Sequence, residues 1–194
     1  YKAGVYLILL LGEFHARVIL NFRKFFQEPF RLIFSVGNQI EQIVFMLIVG
    51  MKTYILRTLS EGKFARVGAL LHMLDAGAPA LDFNRLQSLA ASDSFNLFVA
   101  EDQNGAIAGM LTLTCCPTLS RSKWWIEDVI VDPSYRGQGV GRALVQAAVA
   151  HVKATDASSS LYLTSNPSRV SARRLYVSEG FEEYETGVFR LPKA

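Results

Sequence analysis

"YRGQGVGRAL", residues 135–144, places Gly137, Gly139 and Gly141 at alternate positions, with Arg136 and Arg142 outside them. The run "VIVD" before it reads as the end of a strand, and "GRALVQAAVAHVKA" (141–154) reads as a helix. A strand that passes through glycines into a helix N-terminus is an anion site in outline. The first amides of a helix have no intrahelical acceptor, and the helix dipole adds partial positive charge there. Glycines let the backbone come close to a bulky anion, and Arg136 and Arg142 are candidates for charge-assisted contacts. The spacing excludes two familiar nucleotide loops. A P-loop needs a Lys followed by Ser or Thr, and a dinucleotide fingerprint needs G-x-G-x-x-G after the first strand of the fold.

Working outward, "WWIEDVIVD" (124–132) is the most strongly strand-like run of the chain. Strands are also expected at "TYILRTL" (53–59), "FNLFVAED" (95–102), "AIAGMLTLTCC" (106–116) and "SSSLYLTS" (158–165). The turn "DQNG" joins the second and third of these into a hairpin. Apolar spacing predicts a helix over 61–74 and a shorter one after an Asp82 cap, and a helix over 168–180 closed by Gly180. "FEEYETGVFRL" (181–191) reads as one or two closing strands. The order βαα-βββ-αβ-αβ is that of an α/β domain with an antiparallel first half and a strand-helix-strand unit in the second.

The 194 residues suffice for one full domain, and a formal charge of +3 is too small for a nucleic-acid-binding surface. Cys115 and Cys116 are adjacent, with no metal-ligand spacing, so reduced thiols in a cytoplasm and no metal are expected. Residues 1–50 form an apolar leader, read either as non-native sequence ahead of a start at Met51 or as a membrane-associating helix pair. Its longest charge-free runs, residues 3–12 and 42–51, are too short to span a membrane, and residues 32–51 reach that length only with Glu41 at their centre. Residues 51–194 carry 15 basic and 14 acidic residues, the balance of a near-neutral globular domain with no call on a membrane.

"VIVDPSYRGQGVGRALV" resembles the acyl-CoA-binding motif of the GNAT superfamily, R/Q-x-x-G-x-G/A, with Arg136, Gly139 and Gly141 at its fixed positions. "IEDVIVDP" before it and "ARRLYVSEGF" (172–181) after it continue the resemblance in order over residues 52–192. It implies a GNAT-like acyl-CoA N-acyltransferase fold: a mixed central sheet splayed at strands 4 and 5 and flanked by helices. It also implies acetyl-CoA as co-substrate, with the pyrophosphate on the amides of Gly137, Gln138, Gly139, Val140, Gly141 and Arg142. The pantetheine arm would lie along Val129, Ile130 and Val131. Where the family pattern has an Asn, this chain has Arg169, so Asn166 is carried as an offset cofactor contact. Homodimers are common among proteins of this resemblance.

The chemistry needs a base. Delivering a neutral amine from a pKa near 10.4 at pH 7 costs about 4.6 kcal/mol, which a nearby carboxylate offsets by accepting the proton. Glu127 and Asp128 sit in the middle of an apolar strand that disfavours them. Alternation sends them to opposite faces. The resemblance favours Glu127 as base and Asp128 as substrate contact or structural partner, and either one alone fits a surface ion pair equally well. Tyr176 stands where the family places the acid that protonates the leaving thiolate, and the amide of Val129 is a candidate oxyanion donor. Of the two tryptophans, Trp125 is assigned to the acceptor pocket and the other to the core. The function expected is direct acetyl transfer from acetyl-CoA to a primary amine of a small molecule in a ternary complex. The alternatives are a protein or peptide acceptor, or an acetyl-CoA sensor without turnover.

Overall fold

The computed structural model describes residues 50–191. The expectations for the leader lie outside these residues. The described chain runs β1 (Lys52–Ile55), α1 (Glu61–Leu74), α2 (Phe83–Ala90), β2 (Phe95–Glu101), β3 (Ile107–Pro117), β4 (Ser122–Val131), a 3-10 turn (Pro133–Tyr135), α3 (Val140–Thr155), β5 (Ser160–Leu163) and α4 (Val170–Ser178). Local chemistry sets several boundaries. The Ser60 side chain accepts from the amide of Lys63 to start α1, and the Asp82 side chain accepts from the amide of Arg85 to start α2.

The five strands lie in the order β1-β2-β3-β4-β5, antiparallel except for the parallel β4–β5 pair. This is the mixed α/β sheet expected. Its two faces carry separate apolar layers. Phe98, Leu111, Leu113, Trp124 and Ile126 pack with Leu144, Val145 and Ala148 of α3 and Tyr176 of α4. On the other face Leu97, Val99, Met110 and Ile130 pack with Val67 and Leu70 of α1 and Leu86 of α2. Gly109 permits close layering, since a Cβ there would stand 2.8 Å from the carbonyl oxygen of Ile130. His151 sits edge-on to Phe98 and Trp124 in this packing.

Two features shape β4. Its pairing with β5 covers only Lys123↔Ser160 to Ile126↔Leu163, although β4 continues to Val131. The strands therefore part after Ile126, which is the splay. In the β3–β4 ladder, Met110 faces Ile130 and Thr112 faces Glu127, so Asp128 and Val129 together oppose Leu111. That is a β-bulge, and Asp128 holds a left-handed φ of 49° within it.

The closing strands expected over 181–191 are not formed. This segment has no strand pairing, and Val188, Phe189 and Leu191 are exposed. An alternating pattern becomes a strand only where an edge accepts it, and β5 offers just four residues.

Candidate active site

The glycine loop opens α3 as the sequence suggests. Gly137 and Gly139 have φ of 75° and 76°, a conformation that favours glycine, and a Cβ at either would meet nothing within 4 Å. Gly139 is the N-cap of α3 and supplies no side-chain acceptor, so the first amides of the helix keep free donors. Gly141 plays a different part. It is helical and would meet Leu175 and Val131 at ordinary contact distance, so it seats α3 against α4 and β4.

The loop is anchored from behind. Asp132 accepts from the amide and hydroxyl of Ser134 and from Arg66 of α1 at 2.7 Å, which holds its carboxyl down at about 2. Arg66 also donates to the carbonyl of Ile107, and the Tyr135 hydroxyl donates to Asp102. The loop is thus tied to α1 and to both ends of the β2–β3 turn.

The two arginines part ways. Arg136 donates through Nε to the carbonyl of Val131 at 3.3 Å and is exposed beside the loop. The Arg142 guanidinium turns away from the loop. Its Nε lies 2.8 Å from Glu179 of the α4 C-cap, and its Nη2 donates to Ser178. Gln146 donates to the other oxygen of Glu179. The Arg142 side chain is thus engaged with α4 rather than with the loop it was expected to serve.

Asn166 is also spent locally, its Oδ1 accepting from the amide and hydroxyl of Ser168 to close the turn ahead of α4. Arg169 reaches across the splay instead, donating from Nη2 to the carbonyl of Val129 at 3.1 Å.

The bulge changes the fate of the two acids. Trp124 and Ile126 point into the α3 layer, whereas beyond the bulge it is Val129 and Val131 that do so and Ile130 that faces α1. Alternation therefore fails at the E-D pair, and both side chains are exposed rather than divided between faces. Asp128 is tethered, accepting from the hydroxyl of Thr112 at 3.0 Å. Among the described residues Glu127 has no such partner. Surrounding protein mass desolvates it and Asp128 repels its charge, so its carboxyl is raised above the usual value even though its side chain remains open to water.

Tyr176 is 5% exposed and lies edge-on to Phe181. Burial pushes its hydroxyl above the usual value, with Arg169 acting in the opposite direction. Trp124 is core, while Trp125 stays half-buried on the α1 side of β4 and stacks on Tyr162 of β5 at 5.2 Å. Thr112, Arg66 and Tyr162 escaped the sequence reading because each lies outside the recognised motifs and meets the site only through strand register or helix packing. A shallow open groove on α4, lined by Pro167, Val170, Arg173, Arg174, Val177 and Ser178, contains none of these groups.

A family model described as the Acetyltransferase (GNAT) family matches residues 70–181, more than half of the sequence. The chain belongs to the GNAT acetyltransferase family. Among solved structures, this GNAT protein is similar to an acetyltransferase from Trypanosoma brucei, with 25% identity and a TM-score of 0.62 over 74% of this chain and 99% of that one. A putative acetyltransferase from Agrobacterium tumefaciens matches at 23% identity and a TM-score of 0.63, covering 73% of this chain and 99% of that one. An aminoglycoside acetyltransferase from an uncultured soil metagenomic sample, in complex with sisomicin, shares the fold at 21% identity and a TM-score of 0.63, over 74% and 97% of the two chains. A search among curated proteins finds no match. Within the described residues of the GNAT chain, no helix is long and apolar enough to cross a membrane, and no cluster of His, Cys, Asp and Glu is arranged to hold a metal.

Proposed function

We propose that this GNAT protein is an N-acetyltransferase that moves the acetyl group of acetyl-CoA directly to a primary amine of a small molecule. The single observation that carries this reading is the juxtaposition of an uncapped, glycine-opened helix with the splay of β4 and β5. The first supplies amide donors for a pyrophosphate, and the second leaves the β4 edge without a strand partner where a pantetheine arm would lie.

Acetyl-CoA fits these residues. The amides of Gln138 to Arg142 would hold the diphosphate, with Arg136 beside them. Along β4 the backbone of Val129, Ile130 and Val131 would pair with the arm, exchanging the Arg169 contact on the Val129 carbonyl for a pantetheine amide. The carrier supplies an activated thioester; this chain's residues orient it and move protons. Glu127, the untethered acid, accepts the amine proton directly or through a water. Its raised pKa makes it a stronger base than an ordinary glutamate. Asp128 orients the ammonium or holds the bulge. The Val129 amide donates to the oxyanion, and Tyr176 donates to the departing sulfur. Asn166 is demoted to a turn residue in this scheme.

Thiol release from acetyl-CoA over a panel of amines and peptides tests the reading. Turnover of an amine that falls by about 100-fold or more in Glu127→Gln, within the usual range for a general base, and falls in Tyr176→Phe supports it. Acetyl-CoA binding without thiol release on any acceptor would identify a sensor instead, and turnover confined to peptides would identify a protein acetyltransferase.

A further inference from the structure

The face of β4 that carries Glu127 also carries a row of aromatic rings that the reaction scheme does not use. Trp125 precedes Glu127 by two residues, so the two share the α1-side face of the strand. Tyr162 is its register partner on β5, and the rings stack at 5.2 Å with 29° between planes. Tyr184, from the segment after α4, continues the row edge-on to Tyr162 at 6.0 Å. Trp125 and Tyr162 are only half-buried and Tyr184 is 72% exposed, so the row keeps open surface beside the acid. Lys123 lies two residues before Trp125 on the same face and is exposed. The face thus reads cation, aromatic row, carboxylate.

We propose that the acceptor is an arylalkylamine, with its ring packed against Trp125, Tyr162 and Tyr184 and its primary amine reaching toward Glu127. Residues two apart on a strand are separated by about 6.6 Å, which suits a spacer of two or three bonds between ring and nitrogen. Aromatic rings gain from edge-to-face and offset contacts with one another beyond the area they bury. Lys123 argues against a polyamine, because a chain with ammonium groups at both ends would place one of them against a like charge. Tyr162 and Tyr184 thereby become specificity residues, and Trp125 acquires a ring partner. The inference rests on the amine N-acetyltransferase reading above.

The test measures kcat/KM of the full chain with acetyl-CoA and phenethylamine, tyramine, n-hexylamine, spermidine and glucosamine. The ring-bearing amines are expected to exceed n-hexylamine by about tenfold. In Trp125→Ala and Tyr162→Leu the ratio of phenethylamine to n-hexylamine falls toward one, and acetyl-CoA affinity by calorimetry reports that each variant is folded. A preference for spermidine or glucosamine overturns the inference, as does an equal loss on ring-bearing and ring-free amines in both variants. These outcomes leave the acetyltransferase reading standing. Absence of thiol release with every amine removes that reading and the arylalkylamine with it.

Discussion

The hydroxyl of Thr112 on β3 donates to the carboxylate of Asp128 on β4 at 3.0 Å, across the point where β4 bulges. Thr112 is 5% exposed, so the donor sits on rigid ground, while Asp128 holds its backbone at a φ of 49°. A left-handed non-glycine residue costs on the order of 1–3 kcal/mol and persists only where its surroundings determine it. This tether is one such determinant.

Thr112→Val removes the donor and keeps the shape. Stability is expected to fall by about 1 kcal/mol, the usual net worth of such a bond, and turnover several-fold as the bulge loosens. Denaturant unfolding of Thr112→Val, Asp128→Ala and the double variant measures the coupling, since each single change removes one partner of the bond. A coupling near zero would show that the two side chains do not act on each other.

The acid limb of activity reports on Glu127. Its carboxyl is raised first by desolvation and then by the negative charge of Asp128. A base works only when deprotonated, so kcat/KM should climb with pH through an apparent pKa above the ordinary value of 4.5. Asp128→Asn removes one of the two causes, and the limb should move to lower pH without reaching the ordinary value, since desolvation remains. A pH-rate profile of the two proteins, with a fast-reacting amine, checks both direction and order.

Arg136 and Arg142 flank one loop but should behave differently. Arg136→Ala is expected to weaken acetyl-CoA binding by about five- to tenfold, the loss of a charge-assisted contact. Arg142→Ala should change that affinity less than threefold and lower thermal stability instead, by up to about 1 kcal/mol for a partly exposed pair. Calorimetric titration and melting curves of both variants separate the two roles.

Glu101, at the end of β2, gives an acid-stability signature. The Tyr54 hydroxyl, then Lys52 and Lys63, hold this buried carboxyl at about 2 against the opposing effect of desolvation. The folded state therefore binds that proton less readily than the unfolded chain. The stabilisation it confers is complete above about 4.5 and is lost as pH falls toward 2. Glu101→Gln should be less stable at pH 7 and flatter in stability across that window, seen by urea unfolding at a series of pH values.

Much of this was legible in the sequence. The boundaries of α1 and α2 follow from Ser60 and Asp82, and the loop from its glycines, because these are local effects written in adjacent residues. What was not legible depends on distant partners. Nothing near Arg142 says that Glu179, 37 positions on, will take its guanidinium. Strict alternation misplaced the E-D pair because a bulge is set by how β3 and β4 pair, not by β4 alone. The closing strands over 181–191 were expected from an apolar rhythm, yet rhythm cannot supply the neighbour that a strand requires.

The parting of β4 from β5 after Ile126 carries a practical warning. Peptide groups, identical at every position, would do much of the gripping along that stretch, so alanine scanning there would report the base at Glu127 and the packing of Ile130 but not the grip itself. Only chemistry that alters the main chain itself, such as an amide-to-ester exchange at Val129 or Val131, would make that part of the recognition audible.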